Sequence, residues 1–243
     1  ARVVYFGTPD IAAGALDLLL QAGVTPVAAV VQPDKTRGRD RRETTAAPVK
    51  DLALKAGIPV LQPASCKDET FLETLAAYRA DLFFVVAFGQ LLPKRLLDMP
   101  RQGAFNAHAS LLPRWRGSAP INWAILAGDA QSGMCIQRMR MKLDSGPLVW
   151  QKALDLAPDE NAETLRARLT PLAAEGLLAT LAALENGTLR EEEQDESKVT
   201  LAPKLTKEQG RVDWTRPAFE IERNIRGLCP WPGVQTTFLG TTL

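Results

Sequence analysis

Two polar residues close an apolar run, Asn106 and His108 in Ala104-Phe105-Asn106-Ala107-His108. In extended chain a spacing of two places both side chains on one face. An amide there can donate to a developing negative charge, and an imidazole can donate, accept or carry a proton near neutral pH. The plain reading of a lone histidine is a hydrogen-bonded core residue. The adjacent asparagine, the strand end and the glycine- and proline-bearing stretch that follows favour a site instead. Asp144, in Leu143-Asp144-Ser145-Gly146, adds a carboxylate. Asp-Ser-Gly is also an ordinary turn, and nothing local brings Asp144 to His108.

The elements around these residues alternate. Residues 3–6 are a short apolar run, expected as a buried strand, and Gly7-Thr8-Pro9-Asp10 turns into a helix carrying Leu16, Leu19 and Leu20 that ends at Gly23. Residues 27–31 read as a second strand, 49–56 as a helix, the region of Val60 as a strand, 70–78 as a helix and 82–88 as a strand. This rhythm indicates an α/β fold with a doubly wound, mostly parallel sheet. Ligands of such sheets bind at the carboxyl ends of the strands, which is where Asn106 and His108 fall. The turn after the first strand lacks the glycine fingerprint of a dinucleotide site, which disfavours NAD chemistry.

Further on, a helix is expected over 120–126, strands over 134–141 and 148–153 around the Asp144 turn, and a long helical region over 165–184 containing Pro171. The acidic run 191–196 reads as a linker or solvated face. Phe219, Ile221 and Ile225 suggest a short helix. Residues 236–239 suggest a strand without a visible partner. The expected division is 1–189 for the main domain, 190–205 for a linker and 206–243 for the beginning of a second, incomplete domain.

Net charge is +1, so nucleic-acid contact requires a local patch. One exists in residues 32–45, where Lys35, Arg37, Arg39, Arg41 and Arg42 crowd together with Asp34, Asp40 and Glu43 between them. A solvated loop is its plain reading. Cys66, Cys135 and Cys229 are widely spaced, odd in number and form no CxxC. That argues against a disulfide framework and a zinc site, and for a reducing, cytoplasmic setting. Residues 1–6 read as a strand rather than a signal peptide. No apolar run is expected to span a bilayer.

The stretch Asn106-Ala107-His108-Ala109-Ser110-Leu111-Leu112-Pro113-Arg114-Trp115-Arg116-Gly117 resembles the signature of the folate-dependent formyltransferases. Val4-Tyr5-Phe6-Gly7-Thr8-Pro9-Asp10, Gln32-Pro33-Asp34, Arg37-Gly38-Arg39 and Pro48-Val49-Lys50 resemble the members of that family that act on charged tRNA. Ala119-Pro120-Ile121, Leu143-Asp144-Ser145-Gly146, Val212-Asp213-Trp214 and Pro230-Trp231-Pro232 follow in the family's order.

The resemblance implies a Rossmann-like formyltransferase domain followed by the start of a β-barrel C-terminal domain. It implies transfer of formyl from 10-formyltetrahydrofolate, without a metal, to the α-amine of methionine on initiator tRNA, by a monomer that engages no membrane. Asn106, His108 and Asp144 match the catalytic positions. Ser110, Leu111, Leu112 and Pro113, with Phe88, Gly89, Gln90, Leu91 and Leu92, match the folate-binding segments. Arg39, with Arg37, Arg41 and Arg42, matches the tRNA-binding loop. Met141-Lys142, Arg140, Pro147, Ser118 and Asn122 depart from the family's usual residues. A sugar-nucleotide N-formyltransferase, a formyl-folate hydrolase or a catalytically silent folate-binding module would share the Asn-x-His segment.

Overall fold

The computed structural model describes residues 1–37, 43–238 and 241–242. In chain order the elements are β1 (Val3–Gly7), α1 (Asp10–Gln21), β2 (Ala28–Val30), β3 (Lys35–Arg37), β4 (Glu43–Thr45), α2 (Pro48–Lys55), β5 (Val60–Leu61), α3 (Glu69–Ala76) and β6 (Leu82–Val86). Then come α4 (Lys94–Leu97), β7 (Gly103–His108), β8 (Arg116–Gly117), α5 (Pro120–Ala127), β9 (Gln131–Arg138), β10 (Leu148–Asp155) and α6 (Ala162–Glu185). The remainder is β11 (Leu201–Ala202), α7 (Ala218–Gly227), β12 (Thr237–Phe238) and β13 (Thr241–Thr242).

One seven-stranded sheet runs β10-β9-β7-β6-β1-β2-β5. The five strands from β5 to β7 are parallel; β9 is antiparallel to β7, and β10 to β9. Parallel strands need covered faces, and β1 and β6 are buried at every residue. Tyr5, Phe84, Phe105 and Ile136 face one core with α1, α2 and α6. Phe6, Phe83, Val85 and Ala104 face the other with α3 and α4. Each large side chain so buried contributes roughly 1.5–3 kcal/mol relative to exposure.

The chain steps from β1 outward to β2 and β5, then returns to the other side of β1 for β6 and β7. That reversal makes the carboxyl ends of β1 and β6 the switch point where ligands bind in open sheets. Local signals place the helices. Pro48 opens α2, and Asp68 caps α3 by accepting from the Phe71 amide. Asn161 and Thr164 form a reciprocal capping box on α6.

Several details differ from the sequence expectation. The strand expected over 134–141 is Gln131–Arg138. The basic stretch is not all loop, since β3 and β4 pair as an antiparallel hairpin at its base. The strand at 237–238 has a partner, because β12 pairs with β13. And α6, with 24 residues, is long and apolar enough by length and composition to cross a bilayer. Its charged residues interrupt the apolar run in the sequence, while its buried stripe of Leu165, Leu169, Ala173 and Leu177 packs on the core.

Candidate active site at the carboxyl edge of the sheet

β7 is held on both sides. Asn106 lies opposite Val85 of β6 and Gln137 of β9, and His108 lies opposite Cys135. Ala104 belongs to the α3–α4 core, so the alternation puts Asn106 and His108 on that same face. Asn106 is half-buried, and its side-chain amide makes no hydrogen bond among the described residues. His108 is buried at 6% exposure, with Nε2 2.9 Å from the Trp115 carbonyl. A carbonyl can only accept, so Nε2 carries the proton. In the neutral ring the lone pair is therefore on Nδ1.

The Trp115 carbonyl is well anchored. Trp115 has φ +64°, its amide donates to Thr200 Oγ1 (2.9 Å) and its indole N–H donates to Asp129 Oδ2 (2.8 Å). Arg114 makes two hydrogen bonds to the same carboxylate, at 2.8 and 2.6 Å, and stacks on the Trp115 ring.

Asp144 comes to the other side of the ring. Its Oδ2 is 3.7 Å from His108 Nδ1, an electrostatic contact and too long for a hydrogen bond. Oδ2 also accepts from the Gly117 amide, and Oδ1 from Gln137 Nε2, both at 2.9 Å. These donors compensate a carboxylate that is only 10% exposed. Asp144 has φ +47°, the left-handed region, and the chain then closes tightly at Gly146. A Cβ at Gly146 would lie 1.6 Å from the Arg138 carbonyl oxygen, so only glycine fits there.

Beside this centre, the chain leaving β6 forms a wall in which Phe88 and Leu92 point inward while Gly89 and Leu91 are exposed, Leu91 at 79%. Phe88 packs edge-on against Phe6. Its carbonyl accepts from Thr8 Oγ1 (3.2 Å) and Gln32 Nε2 (3.1 Å), tying the wall to the ends of β1 and β2. Gln90 is fixed through its side chain, which accepts from the Cys66 amide and donates to the Pro63 carbonyl. The backbone groups of Gly89, Gln90, Leu91 and Leu92 make no hydrogen bond among the described residues. Such a strip can pair with the donor–acceptor edge of a flat heterocycle.

In the segment that follows β7, Ser110 closes its own turn by donating to the Arg114 carbonyl, and the amide of buried Leu112 donates to Cys135 Sγ. Leu111 and Pro113 are half-buried, and Leu111 covers Gly133. Among the described residues no three His, Cys, Asp or Glu side chains cluster to hold a metal. A cleft of about 480 Å³ lined by Asp155, Glu160 and Arg168 includes none of these residues, and Glu160 is already paired with Arg168 and Thr164.

The basic hairpin grows from the same edge of the sheet. At its base Asp34 pairs with Lys50 and accepts from Gln62 (2.8 Å), contacts that hold its carboxyl below the usual range. Arg37 ends β3. Arg39, Arg41 and Arg42 lie outside the described residues. Gln137 does not stand out in the sequence; Trp115, Arg116 and Gly117 lie in the segment that carries the family resemblance, but their roles are not visible there, because Trp115 and Gly117 act through backbone groups and Arg116 across 78 residues.

The formyl transferase family profile matches residues 1–181, and the profile of the formyl transferase C-terminal domain matches residues 204–243. The chain belongs to the formyl transferase family. Within it, the chain is 47% identical over 242 residues to the methionyl-tRNA formyltransferase of Stutzerimonas stutzeri, covering 100% of this chain and 77% of that one. It is 42% identical over 242 residues to the methionyl-tRNA formyltransferase of Geobacter sulfurreducens, covering 100% and 76%. Among solved structures, the fold is shared with a sugar N-formyltransferase from a Shewanella species (TM-score 0.74, 14% identity, 100% and 95% covered). It is also shared with HypX of Aquifex aeolicus, solved with tetrahydrofolic acid (TM-score 0.71, 16% identity, 99% and 36% covered).

Proposed function

We propose that this family member transfers formyl from 10-formyltetrahydrofolate to the α-amine of methionine on charged initiator tRNA, in bacterial translation initiation, with Asn106, His108 and Asp144 as the reacting groups. The acceptor is read from relatives at 42–47% identity over the whole chain, whereas sugar N-formyltransferases resemble it only in fold. The observation that carries the chemistry is the fixed ring of His108, with Nε2 on a carbonyl and Nδ1 facing Asp144.

The steps follow from that geometry. The amine nitrogen attacks the formyl carbon, and the carbonyl electrons move to oxygen. The Asn106 amide, without a hydrogen bond among the described residues, donates to this oxyanion, a contribution typically worth about 10²–10³ in rate. The amine sheds its proton to His108 Nδ1, and the imidazolium so formed lies beside the Asp144 carboxylate. The proton is then delivered to the folate nitrogen, the carbon–nitrogen bond to folate breaks, and the oxyanion collapses to the new amide. Proton handling of this kind is worth roughly 10²–10⁴. The strip from Gly89 to Leu92 binds the pterin, and Ser110, Leu111, Leu112 and Pro113 complete the folate-binding segments. Arg37, Arg39, Arg41 and Arg42 engage acceptor-stem phosphates.

The test is release of tetrahydrofolate with charged initiator tRNA, with an amino-sugar nucleotide, or with neither. Release with the tRNA alone is expected. Release with the sugar nucleotide, release without acceptor, or folate binding without turnover would each replace the reading with another. Arg39→Ala should weaken tRNA binding more than folate binding and flatten its salt dependence by about 0.7–0.9 for each phosphate no longer neutralised. Equal effects on both ligands would remove the loop from tRNA recognition.

A further inference from the structure

The acidic run 191–196 has the composition of a solvated linker, yet it lies as a strap along the loop that carries Asp144. Leu148 and Glu192 exchange two backbone hydrogen bonds at 2.8 and 2.9 Å. Three cations on or just after β9 meet three acids of the strap: Arg138 with Glu191 at 2.6 Å, Arg140 with Glu193 at 2.5 Å and Lys142 with Glu196 at 2.6 Å. Between these acids Gln194 turns inward and is 9% exposed.

Its amide is fully used. Nε2 donates to the Asp144 carbonyl at 2.9 Å and to the Gly146 carbonyl at 2.7 Å. Oε1 accepts twice from Arg116, at 3.0 and 2.8 Å. Arg116 is 3% exposed and also donates to Glu196 at 2.8 Å. It directly precedes Gly117, whose amide grips Asp144 Oδ2. One guanidinium thus orders the group that holds the Asp144 backbone and borders the group that holds its carboxylate.

We propose that Gln194, aligned by Arg116, is a positioning residue for formyl transfer: it locks the Asp144 loop so that the carboxylate stays on His108. The inference rests on the assignment of Asp144 to the reaction. A non-glycine residue at φ +47° persists only where its surroundings over-determine it. Two carbonyls of the turn converging on one amide do so. Without those donors the turn relaxes and the carboxylate leaves Gly117 and Gln137.

Gln194→Glu is the discriminating variant. It keeps the side-chain size and the pairing with Arg116, but turns an acceptor toward two carbonyls that need a donor. Gln194→Met, which matches the length without a donor, is carried in parallel, so the kinetic test stands if either folds. The expected result is kcat lower by about 10²-fold, the cost of misplacing a reacting group by an ångström. The KM for 10-formyltetrahydrofolate should be unchanged, with thermal midpoints measured alongside. Glu196→Gln leaves both Gln194 donors in place and should change kcat only a few-fold. Wild-type kcat in a folded Gln194 variant, or a loss confined to the thermal midpoint, overturns the inference. Asp144→Asn in the same assay separates the two ideas. If Asp144→Asn is fully active, the assignment of Asp144 fails; if it is inactive while Gln194→Glu is not, only the positioning role fails.

Discussion

Asn106 and His108 reach the centre on a strand, whereas Asp144 reaches it on a loop. The strand is pinned by ladders to β6 and β9 that depend on backbone alone. The loop is held by individual donors from three places: the Gly117 amide, the Gln137 side chain of β9, and the Gln194 side chain, which donates twice. A ladder spreads the cost of one broken hydrogen bond over many others. A loop held by a few donors passes each loss directly to the group it presents. The two sides of one site should therefore respond differently to substitutions that leave the reacting groups untouched.

The largest effect should come from the strand side by removing chemistry rather than position. His108→Ala is expected to lower kcat by about 10²–10⁴. The β7 ladder stays intact, so circular dichroism and amide exchange of β7 should match the wild type. Extensive loss of β7 protection would mean that the ring, not the ladder, holds the strand.

The loop side should be the more fragile to a methyl group. Gly146→Ala would place a Cβ 1.6 Å from the Arg138 carbonyl oxygen, so the turn must move. A fall in kcat of about 10²-fold is expected, with exchange protection of β7 unchanged. Wild-type kinetics in this variant would show that the loop has slack, and the contrast between the two sides would collapse.

The smallest effect concerns acid. Arg116 and Lys142 lower the Glu196 carboxyl from 4.5 to about 2. A group depressed in the folded state adds stability that is present above its unfolded value and lost as pH falls through the folded one. Wild type should therefore exceed Glu196→Gln in urea midpoint by a constant margin above about pH 4.5, with the margin closing as pH approaches 2. Glu196 and Lys142 are exposed, although Arg116 is buried, so the margin is small. A margin that persists at pH 2 would assign the stability to something other than this ion pair.

The same division marks what the sequence discloses. The alternation of strands and helices, the helix starts and the shared face of Asn106 and His108 follow from local rules, because periods of two and of about 3.6, caps and prolines act within a few residues. The grip on Asp144 does not follow, because Gln194 lies 50 residues from it and Arg116 78 residues from Gln194. One signal does exist: Arg138, Arg140 and Lys142 alternate at the strand period, as do Glu191 and Glu193. Rows of opposite charge at that spacing suit cross-strand pairing, and the acidic run read alone hides it. The Trp115 carbonyl leaves no side-chain signature at all, since what fixes the His108 ring is a backbone oxygen on a residue at positive φ. The partner of β12 escapes for a simpler reason: β13 is two residues long, too short to register as a pattern.

The most direct test of the account is single-turnover formyl transfer to charged initiator tRNA by Asp144→Asn, with 10-formyltetrahydrofolate affinity measured on the same protein. Asparagine keeps the shape and can still accept from Gly117, but it carries no charge beside Nδ1. The expected result is loss of transfer by about 10²-fold or more with folate affinity essentially unchanged. Transfer at the wild-type rate would contradict the account, because the carboxylate 3.7 Å from His108 would then have no part in the reaction.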